Sequence, residues 1–158
     1  MKRIGVIFGG QSSEHDVSLL SAASVIKALR EKKEYEIVML AISKSGMWYR
    51  YEGSEENIAD KSWPQNAYPF DIGQLKSTID FALPILHGAY GEDGTIQGLF
   101  EMLGIPYGGC GVLASAVCMD KLMARAAFEK AGIPGCRYMY VTAYKLASSV
   151  LYRSIIFG

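Results

Sequence analysis

The sequence has few cysteines, no excess of charge and no long apolar run. Its 158 residues include three cysteines, Cys110, Cys118 and Cys136, without a C-x-x-C spacing. An odd number of cysteines argues against a disulfide framework, and the absence of the spacing argues against a zinc site. Both features fit a reducing cytoplasm. No apolar stretch approaches the roughly 18 residues that span a bilayer, so we expect no membrane segment.

Charge and length narrow the class of protein further. Lys plus Arg and Asp plus Glu both total 16, and the basic residues form no stripe, so nucleic acid is not an expected partner. The start Met1-Lys2-Arg3 resembles the charged end of a signal peptide, but the apolar run after it stops at Gly9 and no small-residue cleavage site follows. We interpret this run as a buried first strand. The length allows one domain with a substantial core and the beginning of another.

Residues 9–18, GGQSSEHDVS, are the most informative stretch. They lie between the apolar run at 4–8 and a segment whose apolar residues recur at helical spacing, which predicts a strand, a glycine turn and a helix. In open α/β sheets, ligands bind beyond the carboxyl ends of the strands. A turn for pyrophosphate would have the pattern G-x-G-x-x-G, whereas here two glycines are followed by Glu14 and Asp16.

Two interpretations of this turn stay open on the residues alone. Acidic and hydroxyl side chains favour a helix start, so Ser12, Ser13 or Asp16 can be the helix cap. The alternative is a site in which a carboxylate meets a cationic group, such as the ammonium group of a substrate.

The middle of the chain predicts three more strands, two of them parallel to the first. Residues 35–42 are almost continuously apolar, which is typical of a parallel strand covered on both faces. Residues 47–51 predict a short edge strand, and the polar residues 52–69 predict a surface excursion. A third parallel strand is expected at 79–86, with Pro84 at its end because proline cannot donate to a strand ladder.

The loop after this strand, residues 87–94 (HGAYGEDG), again admits two interpretations. Its three glycines let the backbone approach a ligand, and His87, Glu92 and Asp93 add ionisable groups. Alternatively, it is a glycine-rich turn whose acidic residues cap the next helix.

The remaining pattern completes the predicted fold class. A helix at 96–103 ends at Gly104, a short strand and glycine turn follow at 105–111, and two short helices fall within 112–132. Lys121 in the first turn of the second of these helices is either a surface lysine or a cation that faces a bound anion. The sequence therefore predicts an α/β protein with an open, mainly parallel sheet and helices on both faces.

We expect the domain boundary near Pro134. Residues 1–134 would form a complete first domain that includes a linker helix at 119–131. Residues 135–158, with one strand at 137–142, would be only the start of a second domain, because so few residues cannot bury a core of their own.

Three motifs in register make the sequence recognisable: FGGQSSEHDVS at 8–18, LHGAYGEDGTIQG at 86–98 and MDKL at 119–122. In order and spacing they resemble the amino-terminal part of D-alanine-D-alanine ligases, over residues 1 to 134. The resemblance implies a Rossmann-like domain that precedes an ATP-grasp domain. It also implies a cytoplasmic enzyme of peptidoglycan precursor synthesis, which uses ATP and magnesium to join two D-alanines through an acyl phosphate for the cell wall.

The resemblance also implies roles for individual residues. Glu14 looks like the carboxylate that holds the ammonium group of the first D-alanine, and Val17 like the residue against its methyl group. His87 would lie near the same pocket, and Lys121 at the edge of the nucleotide site, on the phosphates of ATP. The acidic pair at 92–93 belongs to the second motif with no more than a supporting role. These residue types suit the chemistry, because an ammonium group favours a carboxylate and phosphates favour a lysine.

The sequence departs from the family in what it does not contain. Members are typically about twice as long, and the phosphate-covering loop, the adenine pocket, the transition-state arginine and the magnesium ligands have no counterpart here. Ser148-Ser149, within residues 135–158, lacks the flanking glycines of a phosphate loop. Because magnesium and cationic side chains supply most of the rate of phosphoryl transfer, we expect this chain alone to be inactive.

Two other functions and one assembly state stay open. The chain could be a stand-alone D-alanine-binding or interaction module without catalysis, or part of a ligase that adds D-lactate or D-serine as the second substrate. The apolar faces of the helix at 119–131 and of the strand after it would be exposed in this chain, which predicts a homodimer, including one with exchanged C-terminal elements.

Overall fold

The computed structural model describes residues 1–141 and contains the predicted α/β fold. Its strands are β1 (Lys2–Gly9), β2 (Tyr35–Ile42), β3 (Trp48–Tyr51), β4 (Ala67–Pro69) and β5 (Phe81–Leu86). Its helices are α1 (His15–Lys32), α2 (Glu55–Ala59), α3 (Leu75–Thr78), α4 (Thr95–Leu103), α5 (Val112–Met119) and α6 (Lys121–Lys130). The chain divides into two compact units after Met119, so α6 begins the second unit. The domain boundary at Pro134 stays a prediction.

The first unit contains one mixed sheet with the strand order β4-β3-β2-β1-β5. The central strand β1 runs parallel to β2 and β5, and β3 pairs antiparallel with β2 and β4. The parallel register aligns Gly9 with Ile42 on one side and with Leu86 on the other. The carboxyl ends of β1, β2 and β5 are therefore level, and the chain segments that leave β1 and β5 start side by side.

Helices cover both faces of this sheet, as predicted. On one face, Phe8 and its neighbours pack against Leu19 and Ile26 of α1. On the other face, Ile7 packs in a cluster with Leu75 of α3 and with apolar residues of α4, including Phe100. Burial on both faces explains why β1 and β2 are nearly continuous apolar runs instead of alternating ones.

The prediction of a surface excursion at residues 52–69 is wrong. This segment contains α2 and β4, and β4 takes the edge position that the sequence assigned to β3. Ile58 is fully buried and Trp63 is 6% exposed. The Trp63 ring packs edge-on against Phe8 and Tyr49, with ring centroids 6.2 and 5.9 Å apart. The two buried side chains are isolated among polar residues, so they create no periodic pattern that sequence analysis can detect.

Pro84 lies inside β5, opposite Ile7, and not at the strand's end as predicted. The Ala82 amide donates to the Pro106 carbonyl at 2.8 Å, on the side of β5 away from β1. Because alternate residues of a strand point their backbone groups the same way, Pro84 also faces this open side, where no ladder donor is needed. The strand predicted at 105–111 is reduced to a single bridge between Ala82 and Tyr107.

The strand predicted at 137–142 does not form over residues 137–141, and Thr142 lies outside the described residues. A strand requires a hydrogen-bonded neighbour, and the described part of the second unit contains no other strand. The predictions about Ser148-Ser149 also fall outside the described residues. Over residues 1–141, no helix is both long and apolar enough to cross a membrane.

An ion pair joins the start of β1 to the residue before β5. Arg3 donates to Asp80 from its amide at 2.8 Å and from Nη2 at 2.7 Å. The hydrogen bond from the Arg3 side chain, followed by that from its amide, lowers the pKa of Asp80 from 3.8 to about 2.

Acid should therefore destabilise this fold partly through Asp80. A lowered pKa in the folded state means that the stabilisation is complete above the unfolded value of 3.8 and is lost as the pH falls through about 2. Because both side chains are more than a third exposed to solvent, the contribution is modest. We expect Asp80→Asn to lower the melting temperature near neutral pH. As the pH falls, the melting temperature of this variant should decrease less steeply than that of the parent. If the melting temperatures of both proteins fall equally between pH 3.8 and about pH 2, the ion pair does not contribute to the acid sensitivity of the fold.

Candidate functional site

The chain leaves β1 through two positions whose backbone conformation only glycine adopts without strain. Gly9 and Gly10 have φ values of 91° and 96°, in the left-handed region. A Cβ atom on Gly9 would lie 2.2 Å from the Ile42 carbonyl oxygen, and the Gly10 amide donates to the same oxygen at 2.8 Å. The turn is therefore held against the carboxyl end of β2 while the chain rises to α1.

Glu14 is the N-cap residue immediately before α1, and its own side chain makes no capping hydrogen bond. None of the residues predicted as caps takes that position. Asp16 instead pairs with Lys61 at 2.6 Å and with Lys44 at 3.3 Å. The hydrogen bonds from Lys61 and then Lys44 lower the pKa of Asp16. The exposed Glu14 carboxylate is thus left available for a ligand at the positive end of the helix dipole.

Two buried polar side chains hold the turn in place. The Ser18 hydroxyl accepts from the Gly9 amide at 2.8 Å and donates to the Ile85 carbonyl, which ties α1 to both β1 and β5. His15 places Nδ1 at 2.6 Å from the Gly10 carbonyl, so that nitrogen is the donor. Both side chains have structural roles and leave Glu14 as the ionisable group of the turn that faces solvent.

The loop after β5 folds back on itself beside α1. His87 places Nε2 at 3.3 Å from the Ser21 hydroxyl of α1. Gly88 has a φ of 71°, and its amide donates to the Glu92 carboxylate at 2.6 Å. The Glu92 amide donates in turn to the Gly88 carbonyl at 2.9 Å. This double link turns the loop so that Glu92 returns to the side of His87.

Asp93 fits the structural interpretation of the same loop. Its carboxylate accepts from the Tyr90 amide at 2.8 Å and from the Thr95 amide at 3.0 Å. Partial burial raises the pKa of Asp93, but these amide hydrogen bonds outweigh it and leave the pKa below its usual value. Asp93 therefore shapes the start of α4 and is not free to bind a ligand.

The structure brings Glu14, His87 and Glu92 together. One side-chain nitrogen or oxygen atom from each lies within 4.8 Å of the other two, with both carboxylates exposed and the imidazole partly buried. Two carboxylates beside an imidazole make a negatively charged cluster, which favours a cationic group; we call the surface formed by Glu14, His87 and Glu92 the recess. A metal ion held by this set would suit zinc better than magnesium, which prefers oxygen ligands alone.

Of the other predicted site residues, Val17 lies near this cluster in sequence and Lys121 does not. Val17 is 51% exposed and is placed one helical turn after Glu14 on α1. Lys121 is the first residue of α6, exposed, in the second unit. The Asp120 side chain caps α6 by accepting from the Leu122 and Met123 amides, both at 2.9 Å.

Sequence analysis gave Glu92 only a supporting role, whereas the structure makes it a member of the cluster. The signal was present in the two glycines, Gly88 and Gly91, between His87 and Glu92. The Gly91 amide donates to the Gly88 carbonyl at 3.1 Å, which is the turn that returns Glu92 to His87. Several turn types fit a glycine-rich loop, so the spacing alone could not select this one.

Comparison with known sequences gives one family. A family model described as the D-ala D-ala ligase N-terminus matches residues 3–110. The D-alanine-D-alanine ligase of Ruminiclostridium cellulolyticum is 44% identical over 162 aligned residues, which cover 87% of this chain and 43% of that protein. The vancomycin C-type resistance protein VanC1 of Enterococcus gallinarum is 39% identical, with coverage of 92% and 45%.

Solved structures agree with the sequence comparison. The VanG D-Ala:D-Ser ligase from Enterococcus faecalis has a TM-score of 0.81 at 36% identity and covers 99% of this chain and 49% of its own. The D-alanine-D-alanine ligase from Coxiella burnetii has a TM-score of 0.83 at 30% identity, with coverage of 97% and 48%. The chain thus spans a little under half the length of these relatives.

Proposed function

Because the chain belongs to the D-alanine-D-alanine ligase family, we propose that it forms the amino-terminal part of an ATP-dependent ligase and holds the first D-alanine. The reaction would join two D-alanines through an acyl phosphate, for peptidoglycan precursor synthesis in the cytoplasm. The observation that carries this proposal is the meeting of Glu14 and His87, from motifs far apart in sequence, at the level carboxyl ends of β1 and β5.

Each residue of the recess has a chemical role in this proposal. The Glu14 carboxylate accepts hydrogen bonds from the substrate ammonium, and Glu92 adds a second negative charge near it. A charge-assisted hydrogen bond of this kind is about twice as strong as a neutral one. Val17 offers its exposed side chain to the substrate methyl group, and His87 closes the recess on the side of β5.

ATP and magnesium belong to the family reaction, and the described residues fit neither group fully. The Glu14–His87–Glu92 set includes an imidazole, so its chemistry does not suit magnesium. For ATP, Lys121 is an exposed lysine at the start of α6, which provides a point charge for a phosphate but no enclosed pocket. No step of the proposal therefore involves magnesium, and Lys121 would contribute only a contact to the nucleotide phosphates.

The relatives' names leave the second substrate open. D-alanine is common to the names of the Coxiella burnetii and VanG ligases, whereas D-serine is named only for VanG. A site that binds the first substrate cannot discriminate between D-alanine and D-serine as the second substrate. The proposal is therefore limited to D-alanine as the group held by Glu14.

Two assays of the purified chain test this proposal. Calorimetry should detect millimolar binding of D-alanine and no binding of L-alanine, and a chain that binds neither contradicts the assigned recess. D-alanine-dependent hydrolysis of ATP should be absent, since residues 1–141 supply too little of the charge stabilisation that phosphoryl transfer requires. Clear turnover would show that the chain alone is a complete enzyme.

We further propose that the chain forms a homodimer through its second unit. Six large apolar side chains are about half exposed or more in its described part: Met123, Phe128, Ile133, Tyr138, Met139 and Tyr140. Exposed apolar side chains favour association where they form a surface, and exchange of the C-terminal elements is one way to bury them. Light scattering at micromolar concentration should give the mass of a dimer, and a monomeric mass would contradict this part.

A further inference from the structure

Ser12 connects the two chain segments that carry the recess. Its hydroxyl donates to the His87 carbonyl oxygen at 2.6 Å. The Ser12 hydroxyl oxygen also accepts from the Glu14 amide at 3.1 Å. One side chain therefore bonds to the backbone of both residues that the proposed site requires, across 75 positions of the sequence.

Gly88 makes this connection possible. A Cβ atom at Gly88 would lie 3.2 Å from both Cβ and Oγ of Ser12, and 3.7 Å from the Glu14 carboxyl carbon. The φ of 71° at Gly88 is also one that other residues adopt only with strain. The absence of a side chain thus lets the loop after β5 approach the glycine turn closely enough for the Ser12 bond.

The other links between the two segments lie elsewhere. Ser18 ties α1 to the strand carbonyl of Ile85, before the loop begins, and Ser21 contacts only the far nitrogen of the His87 ring. Neither of these side chains bonds to the backbone of Glu14, although the Ser18 amide donates to the Glu14 carbonyl within the first turn of the helix. Among these three serine side chains, that of Ser12 contacts the backbones of both Glu14 and His87.

We propose that Ser12 is a positioning residue for the first substrate: its hydroxyl holds Glu14 and His87 at the separation that fits an ammonium group. This inference rests on the proposed function for the identity of the ligand, but the hydroxyl bridge itself does not. Loss of the bridge would let the turn and the loop move apart while both ionisable side chains remain.

The test uses the full chain with Ser12→Ala and, as a matched control, Ser13→Ala at the exposed neighbouring position. D-alanine affinity should fall about fivefold in Ser12→Ala, the effect expected when one hydrogen bond of a binding site is lost, and should stay unchanged in Ser13→Ala. Hydrogen exchange by NMR should show the Glu14 amide exchanging about fivefold faster in Ser12→Ala alone.

A double-mutant cycle separates positioning from general stabilisation. If Ser12 acts through Glu14, Ser12→Ala should cost less than about twofold in affinity when Glu14→Gln is already present. An equal fivefold loss in both backgrounds would overturn the proposal, as would an unchanged exchange rate of the Glu14 amide. If the parent chain binds no D-alanine while the exchange rate still rises, the substrate assignment fails and the bridge stands.

Discussion

Replacing Glu14 by glutamine should weaken the binding of D-alanine by about tenfold or more. The substitution keeps the size of the side chain and one acceptor oxygen but removes the charge. Hydrogen bonds to charged groups contribute about 1.5 to 3 kcal/mol, and about 1.4 kcal/mol corresponds to tenfold in affinity. The Glu14 side chain makes no capping bond within the protein, so the folded state should lose little.

The measurement is a titration of the purified chain with D-alanine, followed by calorimetry or by NMR of the His87 ring. Glu31→Gln is the matched control, because Glu31 is exposed near the other end of the same helix. We expect Glu31→Gln to bind as the parent does. Unchanged affinity in Glu14→Gln would remove Glu14 from the binding site and would leave Glu92 as the remaining carboxylate of the recess.

The parts of the fold that carry long periodic patterns were predictable. β2 has the bounds expected from its apolar run, Tyr35–Ile42, and α4 ends at Gly104, whose φ of 61° is the left-handed conformation that ends a helix. The central sheet and its covering helices follow from such patterns. Burial on both sheet faces leaves a signal in almost every residue of a strand.

The ligand recess was predictable only in part. Glu14 and His87 follow strand ends, and the family resemblance assigned them to the same pocket. The returning loop that brings Glu92 to His87 depends on the Gly88 amide and carbonyl, and the Ser12 bridge depends on the absence of a side chain at Gly88. Each of these contacts has a backbone atom as at least one partner, so the identities of the side chains alone do not encode them.

Trp63 was beyond sequence analysis for a different reason. It lies in a polar segment, with charged residues before it and two prolines, Pro64 and Pro69, after it, and only tertiary packing buries it. Phe8, on the strand that leads to the glycine turn, is one of its partners. The segment that resembled a surface excursion therefore supports the strand on which the candidate site is built.

Trp63→Ala should accordingly be among the most destabilising single substitutions in the first unit, at about 3 to 5 kcal/mol. The cost combines the lost burial of a large aromatic ring, the cavity left against Phe8 and the lost edge-on contact with Tyr49. Urea unfolding followed by circular dichroism measures it, with Trp63→Phe as a milder variant should the alanine protein fail to fold. Tyr68→Ala, in the same segment but 61% exposed, is the control and should change stability by less than about 0.5 kcal/mol. Similar small effects at both positions would mean that residues 52–69 are the surface excursion that the sequence predicts. In that case β1, which leads to the glycine turn, would be stabilised without them.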